Sequence, residues 1–396
     1  MRDPVAIIIS PVWPGDDQGY RIAVKSSLYE YAQFFDRLFI VVLSEESRPS
    51  DLQEDPRISW LHVPVVRRKK WVRFARSLAG SRPGIVMQFV ERPVIRGMRT
   101  RLVDMCREAQ PDCVIFEDLP VASVAPFVRK LMPGTPFAIR THNVHSEAFE
   151  GFNAEGSFAV RRAWSLEMSR IGRFEETALK GADRVWTISS RDAEETSRRY
   201  GVTVDGVVGI VLDHTRYSEV AHGSVSRVVS IGTADLRKAH GLACFMSETW
   251  PEVVARNNQA RLLLAGRGTE AFSDADSRIE GLGFVEDDRS LLGSGRIFVN
   301  PQERGSGVKL KSIIAMLAGK ALVSTPKGVE GVAGCEGRHF YVAENGIDMA
   351  RIILRLISNP EECIETGRRA RDLASMEYAQ GRASGQTRNM FGRLID

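Results

Sequence analysis

Short apolar runs alternate along the first two hundred residues with segments whose apolar positions repeat at helical spacing. Ala6–Ser10 (AIIIS), Leu38–Leu43 (LFIVVL), Cys113–Phe116 (CVIF) and Phe137–Ile139 have the unbroken, β-branched character of parallel strands buried on both faces. Between the first two, Arg21–Phe35 carries Ile22, Leu28, Tyr29 and Ala32 on one helical face. Residues 157–181 read as a long helix leading into a strand at Arg184–Ser189, and Ser190 is placed to cap the helix that follows.

The alternation loosens after Gly201, and His214–Ser226 reads as a linker. A second series begins at Val228–Ile231 and continues through Arg261–Ala265, Arg296–Val299, a helix at Ile313–Ala318 and a strand at Ala321–Ser324. From Asn359 the chain is helical and highly charged. Strands alternating with helices predict βαβ units and parallel sheets. The pattern is that of an α/β protein with two Rossmann-like halves.

Composition narrows the function classes. The 396 residues are 43% hydrophobic and 26% charged, an ordinary globular profile. A net charge of +4 is too small to mark a nucleic-acid binder, and no nucleic-acid motif occurs. Its distribution is uneven: residues 67–101 hold 11 Arg or Lys and a single acid, Glu91. The five cysteines form no CxxC pair, which predicts reduced thiols in a cytoplasm. No apolar run reaches the ~18 residues of a membrane span, so the expected membrane contact is at most peripheral.

Five segments carry candidate chemistry. The loop containing Gly15 and Gly19 joins the first strand to the first helix, where open α/β sheets bind ligands; the plainer reading is a βα turn. Arg140-Thr-His142-Asn-Val-His145 follows a strand, so His142 can reach the same crevice, or merely cap the next helix; no third metal ligand accompanies the two histidines. Gly305-Ser306-Gly307-Val-Lys309-Leu-Lys311 combines exposed amides, a helix start and two cations, an anion site suited to a diphosphate. Arg237 and Lys238 offer a second phosphate contact. Finally, Arg67, Arg68, Lys69, Lys70, Trp71, Arg73, Phe74 and Arg76 would form a basic aromatic helix. That arrangement suits an anionic membrane or acceptor surface, or else a packed stripe with a solvated face.

In order, these features resemble the GT-B glycosyltransferases of GT4 type, the group 1 glycosyl transferases. The resemblance is strongest at RTHNVHSEAF (140–149), ADRVWTISSRDAEE (182–195) and GSGVKLKSIIAMLAGKALVSTPKGVEGV (305–332). It implies two Rossmann-like domains facing a cleft, with acceptor domain 1–205, donor domain 206–375 and a C-terminal helix 376–396 crossing back to the first domain. It also implies retaining transfer from a nucleotide-diphosphate sugar without a metal or cofactor. His142 then lies at the donor-contacting histidine, Gly19 in the glycine loop, and Lys238, Gly305, Ser306, Gly307, Lys309 and Lys311 around the phosphates.

One departure stands out. The family's paired glutamates fall at Ser306 and Ile314, and isoleucine cannot accept a ribose hydroxyl. Two functions therefore stay open. One is a transferase acting on glycan, lipid-linked or small-molecule acceptors in bacterial polysaccharide or glycoconjugate synthesis. The other is a catalytically silent GT-B scaffold for another transferase.

Overall fold

The computed structural model describes residues 3–16, 18–52, 54–66, 72, 82–149, 157–232, 240–380 and 384–395. The chain divides into two units, Met1–Val211 with Ala383–Asp396, and Leu212–Arg382.

In the first unit the apolar runs become strands of one parallel sheet. Its strands are β1 (Val5–Ser10), β2 (Arg37–Ser44), β3 (Ile58–Pro64), β4 (Cys113–Glu117), β5 (Phe137–Thr141), β6 (Arg184–Thr187) and β7 (Gly206–Val207), in the order β3-β2-β1-β4-β5-β6-β7. Period-two alternation splits β1 between two cores. Val5, Ile7 and Ile9 pack with Phe116 and Ile139 on one face, and Ala6 and Ile8 with Ile40, Val42 and Ile115 on the other. Helices α1 (Gly19–Ala32), α2 (Arg92–Ala109) and α3 (Phe158–Gly181) cross between strands. Strand order reverses between β1 and β4, and such a switch point opens a crevice at the carboxyl ends of the strands.

The second unit repeats the plan. Strands β8 (Ser224–Ile231), β9 (Arg261–Ala265), β10 (Ile279–Gly281), β11 (Gly295–Asn300), β12 (Ala321–Ser324) and β13 (Phe340–Val342) lie parallel in the order β10-β9-β8-β11-β12-β13. Helix α4 (His240–Cys244) runs on through a π turn at Phe245–Thr249 into Trp250–Arg256. Helices α5 (Leu310–Leu317), α6 (Gly346–Ser358) and α7 (Pro360–Tyr378) follow.

Three boundaries differ from the sequence expectation, each for a local reason. The helix expected to be capped by Ser190 is capped by Ser189, whose side chain accepts from the Asp192 N–H. The first unit extends to Val211 because Gly206–Val207 pairs with Trp186–Thr187 as a seventh strand. The returning helix is a separate element: α7 stops at Tyr378, whose carbonyl accepts from Leu212 N, and a new helix runs from Ser384 to Ile395 in the first unit. There Phe391 is fully buried, its ring 5.2 Å from Tyr31 and 5.1 Å from Trp186. Such aromatic pairs contribute about 0.5–1.5 kcal/mol each beyond area burial. Among the described residues, no helix is long and apolar enough to cross a membrane.

Candidate functional site

In the first unit the polar chemistry gathers where β4 and β5 end. A strand buried on both faces delivers its last residues into the crevice, and here those residues are Glu117, Arg140 and Thr141. Glu117 and Arg140 are fully buried and joined at 3.0 Å. His142, 3% exposed, sets Nε2 2.7 Å from Glu117 Oε2 and 2.9 Å from Arg140 Nη1. The Tyr31 hydroxyl donates to the other Glu117 oxygen. Burial disfavours the Glu117 charge, but Arg140 first and His142 next outweigh it and hold the carboxyl below its ordinary range.

Asp118 stands beside this group in an uncommon backbone state, φ 84° and ψ 151°, a region that glycine adopts but other residues enter at about 1–3 kcal/mol of strain. Its carboxylate overdetermines that geometry. Oδ1 accepts from the N–H groups of Leu119 (2.9 Å) and His142 (3.2 Å), while Oδ2 accepts from the Tyr20 hydroxyl at 2.5 Å and lies 3.2 Å from His145 Nε2. Burial opposes the Asp118 charge, and its interaction with His145 overcomes this and holds the carboxyl well below its usual range. Burial alone would depress His145; Asp118 raises it instead. Tyr20 rises well above an ordinary phenol, by burial and then by Asp118. The two carboxyls are thus held in their charged form and preorganised, with strain at one point, properties that cluster at functional sites. Gly15 and Gly19 lie in the β1–α1 segment, Gly19 as the exposed first residue of α1 and one residue before Tyr20.

Sequence reasoning found His142 and missed Glu117, Asp118, Tyr20 and Tyr31. The available signal was the acidic pair directly after the apolar run CVIF.

In the second unit Gly305, Ser306, Gly307 and Lys309 lie in the loop between β11 and α5, with Lys311 on the first turn of that helix. Gly305 and Gly307 adopt φ +109° and +74°, which a side chain would strain. Lys309 does not extend outward as the sequence reading aimed it. It is 4% exposed and turns into the loop, donating to the Gly307 carbonyl at 2.7 Å and the Gly305 carbonyl at 3.3 Å, with Glu330 at 3.7 Å. Lys311 is half-buried on the first turn of α5. Asn300 and Ser312 both donate to the Gly328 carbonyl and tie the strand end to the helix. Ile314 is buried.

Beside the loop, a cavity of about 300 Å³ opens where β11, β12 and β13 end, its wall including Pro301, Glu303, Thr325, Lys327 and Glu344. Cys244 and Glu303 also line it, and His240 Nδ1 lies 2.6 Å from Glu303 Oε2. Arg237, Lys238 and the basic and aromatic residues Arg67, Arg68, Lys69, Lys70, Trp71, Arg73, Phe74 and Arg76 lie outside the described residues.

Comparison with known proteins agrees with this architecture. Residues 226–359 match the family described as Glycosyl transferases group 1, and residues 18–209 the Glycosyl transferase 4-like domain. The chain is 23% identical over 274 residues to an uncharacterized 44.6 kDa protein in the cps region of Klebsiella pneumoniae, covering 66% of this chain and 69% of that one. Sucrose-phosphate synthase from Thermosynechococcus elongatus superposes with a TM-score of 0.72 at 14% identity, over 100% of this chain and 99% of that one. HepE from Anabaena, in complex with UDP and glucose, gives 0.65 at 14% identity, over 98% and 100%. Two parallel α/β units, the glycine loop after β11 and matches to both family halves make this chain a glycosyltransferase of the GT4-type group 1 family, built on the GT-B fold.

Proposed function

We propose that the protein transfers a sugar, with retention of anomeric configuration, from a nucleotide-diphosphate sugar to an acceptor hydroxyl in bacterial polysaccharide or glycoconjugate synthesis. The observation that carries this reading is the loop after β11, where two glycines at positive φ lead into the first turn of α5 beside Lys311. Departure of a diphosphate needs negative charge to be stabilised as it develops. Loop amides, a helix N-terminus and a lysine can do this without a metal or cofactor. HepE has been solved with UDP-glucose, and the cps-region relative supports the polysaccharide context.

The reading gives the diphosphate to the second unit and gives His142 and the acceptor to the first. Glu117 and Arg140 together fix the His142 ring through Nε2. The basic segment 67–101 is assigned to an anionic acceptor or lipid surface at the cytoplasmic face of the membrane. Arg92, Arg96, Arg99 and Arg101 of this segment are exposed.

Calorimetry against UDP-, GDP- and dTDP-sugars, followed by transfer assays with the sugar that binds, tests the reading. Binding of one donor class and its turnover are expected. Absence of binding to every donor at millimolar concentration would refute it and favour the scaffold alternative.

A further inference from the structure

One group of ligating atoms lies beside the glycines and lysines of the proposed transfer chemistry. His240 and Cys244 are four residues apart on α4, so both side chains lie on one face of that helix. Gly241 lets this face meet the β11–α5 loop: a Cβ there would lie 1.8 Å from the Pro301 carbonyl oxygen, so only glycine permits the approach. The close approach brings Glu303 to the same place. His240 Nδ1 is 2.6 Å from Glu303 Oε2 and 3.8 Å from Cys244 Sγ, and one ligand atom from each residue lies within 4.8 Å of the others. Cys244 directly precedes the π turn at Phe245–Thr249, a rare helical geometry that recurs at functional sites.

We propose that His240, Cys244 and Glu303 bind a divalent cation of the Zn²⁺ class at the wall of the cavity, with a fourth coordination position left for water or a ligand oxygen. An imidazole, thiolate and carboxylate set selects zinc or cobalt over magnesium, which prefers oxygen ligands alone. Zinc bonds of about 2.0–2.3 Å at tetrahedral angles separate the ligand atoms by roughly 3.4–3.6 Å. The His–Cys spacing is close to that value, and the His–Glu spacing reaches it by rotation of the half-exposed Glu303 side chain.

The local field also favours a cation. Glu248 and Glu303 line the same cavity as Cys244, and their carboxylates would stabilise a bound cation. Binding releases the Cys244 thiol proton to solvent, while His240 binds through Nδ1 as the neutral ring with its proton on Nε2. The site rests on this unit's own geometry and stands whether or not the donor reading does.

Cobalt(II) added to the full-length reduced protein tests the site. A sulfur-to-cobalt charge-transfer band at one equivalent is expected, bleached by Zn²⁺ and untouched by Mg²⁺. C244S should abolish the band. H240A and E303Q should each weaken cobalt binding by about tenfold or more, since loss of even an outer-shell partner has effects of that scale. C335S, at an exposed cysteine elsewhere in the unit, should keep the band, and circular dichroism would verify that each variant is folded. No band with excess cobalt, or a band retained in folded C244S, would overturn the proposal.

Discussion

Lys309→Met separates two ways in which a lysine can serve an anion-binding loop. Methionine keeps the buried stem and removes the ammonium, with its donors to the Gly307 and Gly305 carbonyls at 2.7 and 3.3 Å. A hydrogen bond to a charged group contributes about 1.5–3 kcal/mol, and the longer contact falls at or below that range. Removing a buried ammonium also relieves its desolvation, which offsets part of the loss. Glu330 keeps Lys327 at 2.7 Å and does not become an isolated buried charge. The net expectation is a destabilisation of the second unit of about 2 kcal/mol, with the two glycines released from their geometry. Thermal or urea unfolding measures this, and calorimetry with UDP measures the site. Lys309→Met should lose both stability and UDP affinity. Lys311→Ala should lose affinity, by about 10-fold or more, with stability changed by about 1 kcal/mol or less. Wild-type stability with lost affinity in Lys309→Met would refute the organising role and make Lys309 a direct phosphate contact.

Lys320, fully buried at the start of β12, is lowered to about 8 by burial first and then by Arg371 and Arg296. Because the unfolded chain holds this proton more tightly, the native state is penalised below pH 8, and stability from this group rises from there to about 10.5. At 1.36 kcal/mol per pH unit the penalty is on the order of 3 kcal/mol. Lys320→Met, which gives up a bond to the Ala221 carbonyl, should therefore be the more stable protein near neutrality, with an advantage that shrinks between pH 8 and 10.5; a constant difference in urea unfolding would refute this. Asp118→Gly should destabilise less than Asp118→Ala by about 1–3 kcal/mol, since both lose the carboxylate but only glycine relieves the backbone; equal losses would deny the strain. Co-sedimentation with anionic vesicles should fall with added salt, exposed charges being screened beyond about 10 Å at 0.1 M. Salt-independent binding would remove the basic segment from that role.

What the sequence makes legible follows from where apolar residues are compulsory. Central strands such as β1 and β4 are buried on both faces and announce themselves as unbroken apolar runs. At the edge, Ile58–Pro64 is half-exposed and includes Ser59 and His62, so β3 carries no comparable signal. The short strand β10 escapes for the same reason, whereas β13 is apolar and largely buried but only three residues long. In the sites, glycine identity marks a loop that needs positive φ, which Gly305 and Gly307 bear out. Charge identity, by contrast, does not encode direction. Lys309 and Lys311 look equivalent in sequence, yet one ammonium is enclosed by its own loop. His142 was legible from its place after a strand, while its partner Glu117, 25 residues earlier, becomes its neighbour only through the β4–β5 pairing.

Charge on the cavity wall divides the labour within the second unit. Among the described residues, Glu248, Glu303 and Glu344 line it against one lysine, Lys327. These carboxylates disfavour a diphosphate, which the proposed function places at the glycine loop, and offer acceptors to uncharged hydroxyl groups. This bears on Ile314, which at 7% exposure is part of the apolar packing and offers no acceptor. If a ribose takes an acceptor from this wall, Glu303, eleven residues before Ile314, offers one. It is also the carboxylate that faces His240 at 2.6 Å. A ribose and a cation would then draw on the same side chain, and each would weaken the other reciprocally, by the same factor. UDP titrated into zinc-loaded protein should bind more weakly than into metal-free protein, and E303Q should abolish the difference. Equal UDP affinity in the two forms, with zinc shown to be bound, would mean that the ribose is held by some other acceptor.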